Sequence, residues 1–138
     1  MGTVVQLKKQ INNSYFDLKK SVDEKLVLVE EKIKTKLNSD VSLAQKMTNY
    51  HIQTGGKRLR ALLTLGSAKL CGYLKGGRDI NLAACVELIH AATLMHDDVI
   101  DVSNVRRGKK TINSIWGNQS SILVGCLLYT SPSPRDRG

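Results

Sequence analysis

Residues 87–108 read ELIHAATLMHDDVIDVSNVRRG, an apolar run of helical spacing that ends in three carboxylates, then two arginines and a glycine. On a helix turning about 100° per residue, His90, Asp97 and Asp101 lie within about 40° of one another. Asp98 sits about 80° further round and borders that face. Two carboxylates one turn apart with no base between them repel. Acids at a helix C-terminus also oppose the macrodipole, so a merely exposed acidic end is a poor account of them. A hard divalent cation explains them better, since Mg²⁺ takes one or two carboxylates and completes its shell with water and phosphate oxygens. Arg106 and Arg107 follow in a short loop closed by Gly108. An arginine pair alone is usually solvated surface, but guanidinium forks also grip phosphate oxygens at two points.

Upstream, residues 55–60 read GGKRLR and place Lys57, Arg58 and Arg60 at the start of a predicted helix. Glycines let backbone N–H groups approach an anion, and a helix N-terminus adds its positive end. The stretch is not a P-loop, because the first glycine is missing and Arg58 stands where Ser or Thr is required.

Around these motifs the periodicity is helical throughout. Leu18, Val22, Leu26, Val29, Ile33 and Leu37 recur in steps of three and four, which predicts a helix over 17–37. One of Asn38, Ser39 and Asp40 is expected to cap a second helix over 41–53. Gly55-Gly56 breaks it, and a third helix is predicted over 59–70. Asp79 or Asn81 is expected to cap a longer helix reaching about Val102, and a last helix begins near Thr111. No β-alternation of useful length occurs, so the fold class is all-α.

The chain has 138 residues, a length that fits one domain, and carries a net charge of +9. That charge suits nucleic acid, an anionic membrane surface or a phosphorylated substrate equally well. Aromatic content is 4%, so the core must come from aliphatic residues and alanine. Cys71, Cys85 and Cys126 form neither a C-x-x-C pair nor a disulfide framework. No apolar run reaches the roughly 18 residues of a membrane helix, and the start lacks signal-peptide order and a myristoylation pattern. The expected location is the cytoplasm. From Cys126 the composition turns abruptly to CLLYTSPSPRD. This string back-translates into codons resembling a sequencing adapter read in one frame. The native segment is therefore expected to span 1–125, with 126–138 a foreign tail.

Taken together, GGKRLR at 55–60, IHAATLMHDDVID at 89–101 and RRG at 106–108 resemble the trans-type polyprenyl diphosphate synthases of the polyprenyl synthetase family. The resemblance runs from about Leu37 to Gly125. LNSDVSL at 37–43, RRGKKTINSIWGN at 106–118 and SILVG at 121–125 are most similar to long-chain, octaprenyl-type members. In those members SILVG is followed by Asp rather than Cys, which agrees with a junction at 126. The resemblance implies the N-terminal part of an all-helical isoprenoid synthase bundle. Asp97, Asp98 and Asp101 would hold Mg²⁺ ions bridging an allylic diphosphate, and Arg106 would contact that diphosphate. Lys57, Arg60, His90 and Arg107 would bind isopentenyl diphosphate. Ile89, Ala92 and Thr93, about one turn before Asp97, would line the path of the growing chain, their small size favouring a long product.

Ala61 departs from the family, which usually has Pro there. The family's second aspartate-rich motif, and the downstream lysine and glutamine that help bind the allylic diphosphate, are not present. The 138-residue chain is therefore expected to be inactive alone and prone to association, with a homodimeric parent and no nucleic-acid partner. Two rival readings stand beside this one. An HD-type metal-dependent phosphohydrolase would use His96 and Asp97, with His51 as the upstream ligand. A basic helical nucleic-acid-binding module would rest on charge alone.

Overall fold

A computed structural model describes residues 2–37, 42–54 and 56–130. Its elements are α1 (Gly2–Lys36), α2 (Ser42–Gln53), α3 (Leu59–Leu70), α4 (Arg78–Ile100), β1 (Val105–Arg106), β2 (Lys109–Lys110), α5 (Ile112–Trp116) and α6 (Asn118–Thr130). Helix α4 is the central rod. α1, α3 and α6 all pack on it, and α1 and α3 also pack on each other. Being covered from several sides, α4 is not amphipathic in the usual way. It buries Ala83, Ala84, Leu88, Ala91, Ala92 and Met95 around its circumference. The four alanines keep the rod thin enough for three neighbours to approach.

The α1 stripe behaves as its spacing requires, with Val22, Val29, Ile33 and Leu37 buried against Leu62 and Leu65 of α3 and the rest of the core. α1 itself starts at Gly2 rather than near residue 17, as the periodicity predicts. Residues 2–14 are exposed, so no apolar stripe marks them, and the absence of proline lets the helix run on. α3 spans the predicted residues. The cap expected among residues 38–40, and Gly55, lie outside the described residues.

Asp79 does not cap α4; Gly77 occupies the cap position, and the buried Asp79 carboxylate instead pairs with Lys25 of α1. α4 also stops earlier than predicted, because Val102 takes a left-handed φ of 50°. Ser103 N–H then donates to Asp98 O (2.9 Å) and Val102 N–H to Val99 O (3.3 Å), a Schellman closure. Glycine usually occupies that position, and a β-branched residue there is strained.

The segment expected to be a loop is a minimal hairpin. Val105 pairs with Lys110 and Arg106 with Lys109, antiparallel. Arg107 (φ 50°) and Gly108 (φ 74°) form a two-residue turn with both φ positive, the mirror-image type that suits strand twist. Strands of two residues are too short to leave an alternation pattern. Gly117 (φ 90°) divides the predicted last helix into α5 and α6. α6 continues past Gly125 as far as Thr130, and Leu128 within it is buried. Residues 131–138 lie outside the described residues.

Candidate active site

The start of α3, the end of α2, the face of α4 and the hairpin enclose a cavity of about 680 Å³. Glu87, His90, Ala91, Leu94 and Asp98 form its α4 wall. These positions share one helical face, with spacings of three and four. His51 lies on the α2 side, and Lys57, Arg60, Arg106 and Arg107 reach it from the two motif segments.

The three carboxylates do not share one environment. Asp98 is buried and committed to Arg106, whose Nη2 and Nε donate to Asp98 Oδ1 at 2.7 and 3.1 Å. That bond holds the Arg106 guanidinium pKa above its ordinary value. Asp97 and Asp101 are exposed at the end of α4. Asp98 belongs to the Glu87–Ala91–Leu94 face and is paired there with Arg106, whereas Asp97 and Asp101 lie one turn apart at the exposed end of α4. Among the described residues no three His, Cys, Asp or Glu side chains converge on a metal-sized point. Two free carboxylates one turn apart are a donor set suited to a hard cation that takes its other ligands from water and phosphate.

The cations divide in the same way. Arg58 donates to Glu30 Oε1 (2.5 Å) and faces Glu87 Oε2 (3.7 Å), which neutralises it. Lys57, Arg60 and Arg107 have no carboxylate partner among the described residues. Lys57 Nζ lies 5.6 Å over the Tyr15 ring, a cation–π position. Arg107 folds back onto Gly56, where any Cβ would overlap its guanidinium. The two motifs, some fifty residues apart in sequence, therefore deliver three uncompensated cations to one cavity.

His90 and His51 are both held below the ordinary imidazole pKa. Burial is the main cause for His90, with Arg60 next; burial and then Arg58 bring His51 down to about 4. Each is a neutral ring near pH 7, able to donate one hydrogen bond without adding charge. His96 faces the other way, bonding Ile122 O (3.1 Å) and approaching Cys126 Sγ (3.8 Å) on α6. It shares no site with His51, so the HD-type arrangement does not form.

Of the three residues expected along the product path, Ile89 and Thr93 are exposed, on the Asp97 side of α4. Ala92 is fully buried where α6 approaches closely through Gly125. Two site residues escape sequence reasoning. Tyr50 donates its hydroxyl to Lys110 O (2.8 Å) and stacks edge-on with Trp116 at 5.4 Å, fastening the hairpin to α2. Glu87 joins α4 to the start of α3. Its spacing of eleven residues to Asp98, about three helical turns, was a signal for the shared face; Tyr50 carried none.

A family model described as Polyprenyl synthetase matches residues 41–133. The chain belongs to the polyprenyl synthetase family. Within it, octaprenyl diphosphate synthase of Haemophilus influenzae is 42% identical over 124 residues, covering 90% of this chain and 37% of that protein. The Escherichia coli octaprenyl diphosphate synthase is 45% identical over 102 residues, 74% of this chain and 31% of its own length. The crystal structure of a decaprenyl diphosphate synthase from Rhodobacter capsulatus superposes with TM-score 0.80 at 42% identity, covering 84% of this chain and 36% of that one. A Caulobacter crescentus polyprenyl synthase complexed with calcium and isoprenyl diphosphate gives TM-score 0.75 at 40% identity, with 83% and 35% covered. This polyprenyl synthetase chain thus spans about a third of the length of the curated relatives it matches.

Proposed function

We propose that this chain supplies one side of the active site of a prenyltransferase that condenses isopentenyl diphosphate with an allylic diphosphate. The observation that carries the reading is the convergence of Lys57, Arg60 and Arg107, none with an acid partner among the described residues, on a cavity walled by His90 and Asp98. Three free cations suit a diphosphate, and the neutral His90 ring adds a hydrogen-bond donor. Asp97 and Asp101 are the residues that would hold Mg²⁺, with the allylic diphosphate completing the shell. Bound there, the metal would neutralise the departing diphosphate.

The chain's own residues do the rest by orientation. Arg106, steered by Asp98, presents its remaining donors toward the allylic diphosphate beside Asp97 and Asp101. Lys57, Arg60, His90 and Arg107 fix isopentenyl diphosphate so that its double bond meets the allylic carbon as the C–O bond breaks. The proton released afterwards goes to a diphosphate oxygen or water. Leu94 and Ala91 line the wall between the two ends and keep water from the cation. Exposed Thr93 and Ile89 lead away from Asp97 on the product side, and a long, octaprenyl-like all-trans product made in the cytoplasm is the expected output.

Grafting residues 37–125 in place of the matching segment of the Escherichia coli relative tests the reading. The graft should incorporate labelled isopentenyl diphosphate into long-chain product. Asp97→Asn and Asp101→Asn should each lower turnover by on the order of 10²-fold. Turnover indifferent to both substitutions would remove the metal role.

A further inference from the structure

Helix α3 begins without a capping side chain of its own. Arg58 occupies the cap position in a left-handed conformation, φ 52°, and its side chain makes no capping bond. The N–H groups of the first turn therefore need partners from elsewhere. Ala61 is fully buried, so water cannot serve its N–H; Glu87 Oε1 of α4 accepts it at 3.0 Å. Glu87 is itself buried, and its other oxygen faces Arg58. A buried carboxylate needs such partners, and a helix N-terminus is an environment that favours it. Arg58 is drawn at the same time toward Glu30 of α1. The chain is thus pinned at two points, residues 58 and 61. The free cations Lys57 and Arg60 stand beside those pins.

We infer that Glu87 is the positioning residue of the anion cradle, locking the turn that carries Lys57 and Arg60 by joining Ala61 N–H and Arg58 to α4. This role rests on the diphosphate reading above. It makes a prediction opposite in sign to simple electrostatics. A negative charge beside an anion site repels the anion, so deleting it should tighten binding if Glu87 were only a nearby charge. If Glu87 positions the cradle, deleting it loosens binding despite the lost repulsion.

Calorimetric titration of the 138-residue chain with inorganic pyrophosphate separates the two. Glu87→Gln keeps an oxygen for Ala61 N–H but loses the charge on Arg58, and should weaken pyrophosphate affinity roughly tenfold. Glu87→Ala should weaken it further and speed amide hydrogen exchange at Ala61, which Glu87→Gln leaves protected. Should Glu87→Ala not fold, the isosteric Glu87→Gln still decides. Equal or tighter binding by Glu87→Gln, with the wild type binding normally, overturns the role of Glu87 alone. A wild-type chain that fails to bind pyrophosphate overturns the diphosphate reading, and this role with it.

Discussion

Gly56 shows how much of the site turns on single atoms. It has no side chain, and the Arg107 guanidinium occupies the space one would fill. Gly56→Ala should push Arg107 out of the cavity and weaken diphosphate binding several-fold. The loss should come with little change in stability, because only the tip of a flexible side chain must move. Titration calorimetry beside thermal unfolding checks this; a large stability loss with unchanged affinity would contradict it. His51 carries a pH prediction. Its folded pKa of about 4 lies below the ordinary 6.5, so the unfolded chain binds that proton more readily. The associated stability is whole above pH 6.5 and lost as pH falls toward 4, by up to about 1.4 kcal/mol per pH unit. Unfolding midpoints measured across that range should fall, and His51→Gln should flatten the dependence. At this scale the sequence named the cations and carboxylates but not their states. Spacing could not tell free Asp97 from buried Asp98, or free Lys57 from neutralised Arg58, because ion pairs such as Arg58–Glu30 form between helices distant in sequence.

Elements were legible where packing repeats with the helical period. The α1 stripe from Leu18 to Leu37 is such a case, while α3 was bounded to the residue by the Gly55-Gly56 break before it and α4 was placed to within two residues at its end. The early start of α1 was missed because its exposed first turns carry no stripe; the breaks further along share another cause. Val102, Arg107 and Gly117 break or turn the backbone through positive φ, and two of the three are not glycine. No residue preference announces a valine in that conformation. Tertiary context imposes it, since the chain must leave α4 toward the hairpin fastened by Tyr50. Val102 is 77% exposed, so it contributes little packing in return. Val102→Gly should therefore stabilise the chain by about 1 kcal/mol. Denaturant unfolding reads this directly, and a destabilised variant would show that the valine side chain has a packing role.

The whole chain buries a single core around α4 yet leaves many large apolar side chains in solvent. Leu63, Leu123 and Ile100 are 53%, 70% and 75% exposed, on α3, α6 and α4 respectively. Apolar area spread over several helices in this way favours association. Sedimentation of the 138-residue chain should give a species heavier than 15.2 kDa at micromolar concentration; a clean monomer would mean these faces need no cover. One titration reaches the cavity most directly. Isopentenyl diphosphate added to the wild-type chain and to a Lys57→Ala, Arg60→Ala double variant, followed by calorimetry, should show saturable binding in the first and none in the second. Binding that survives loss of both cations, or no saturable binding by the wild type, would contradict the assignment of this cavity to a diphosphate.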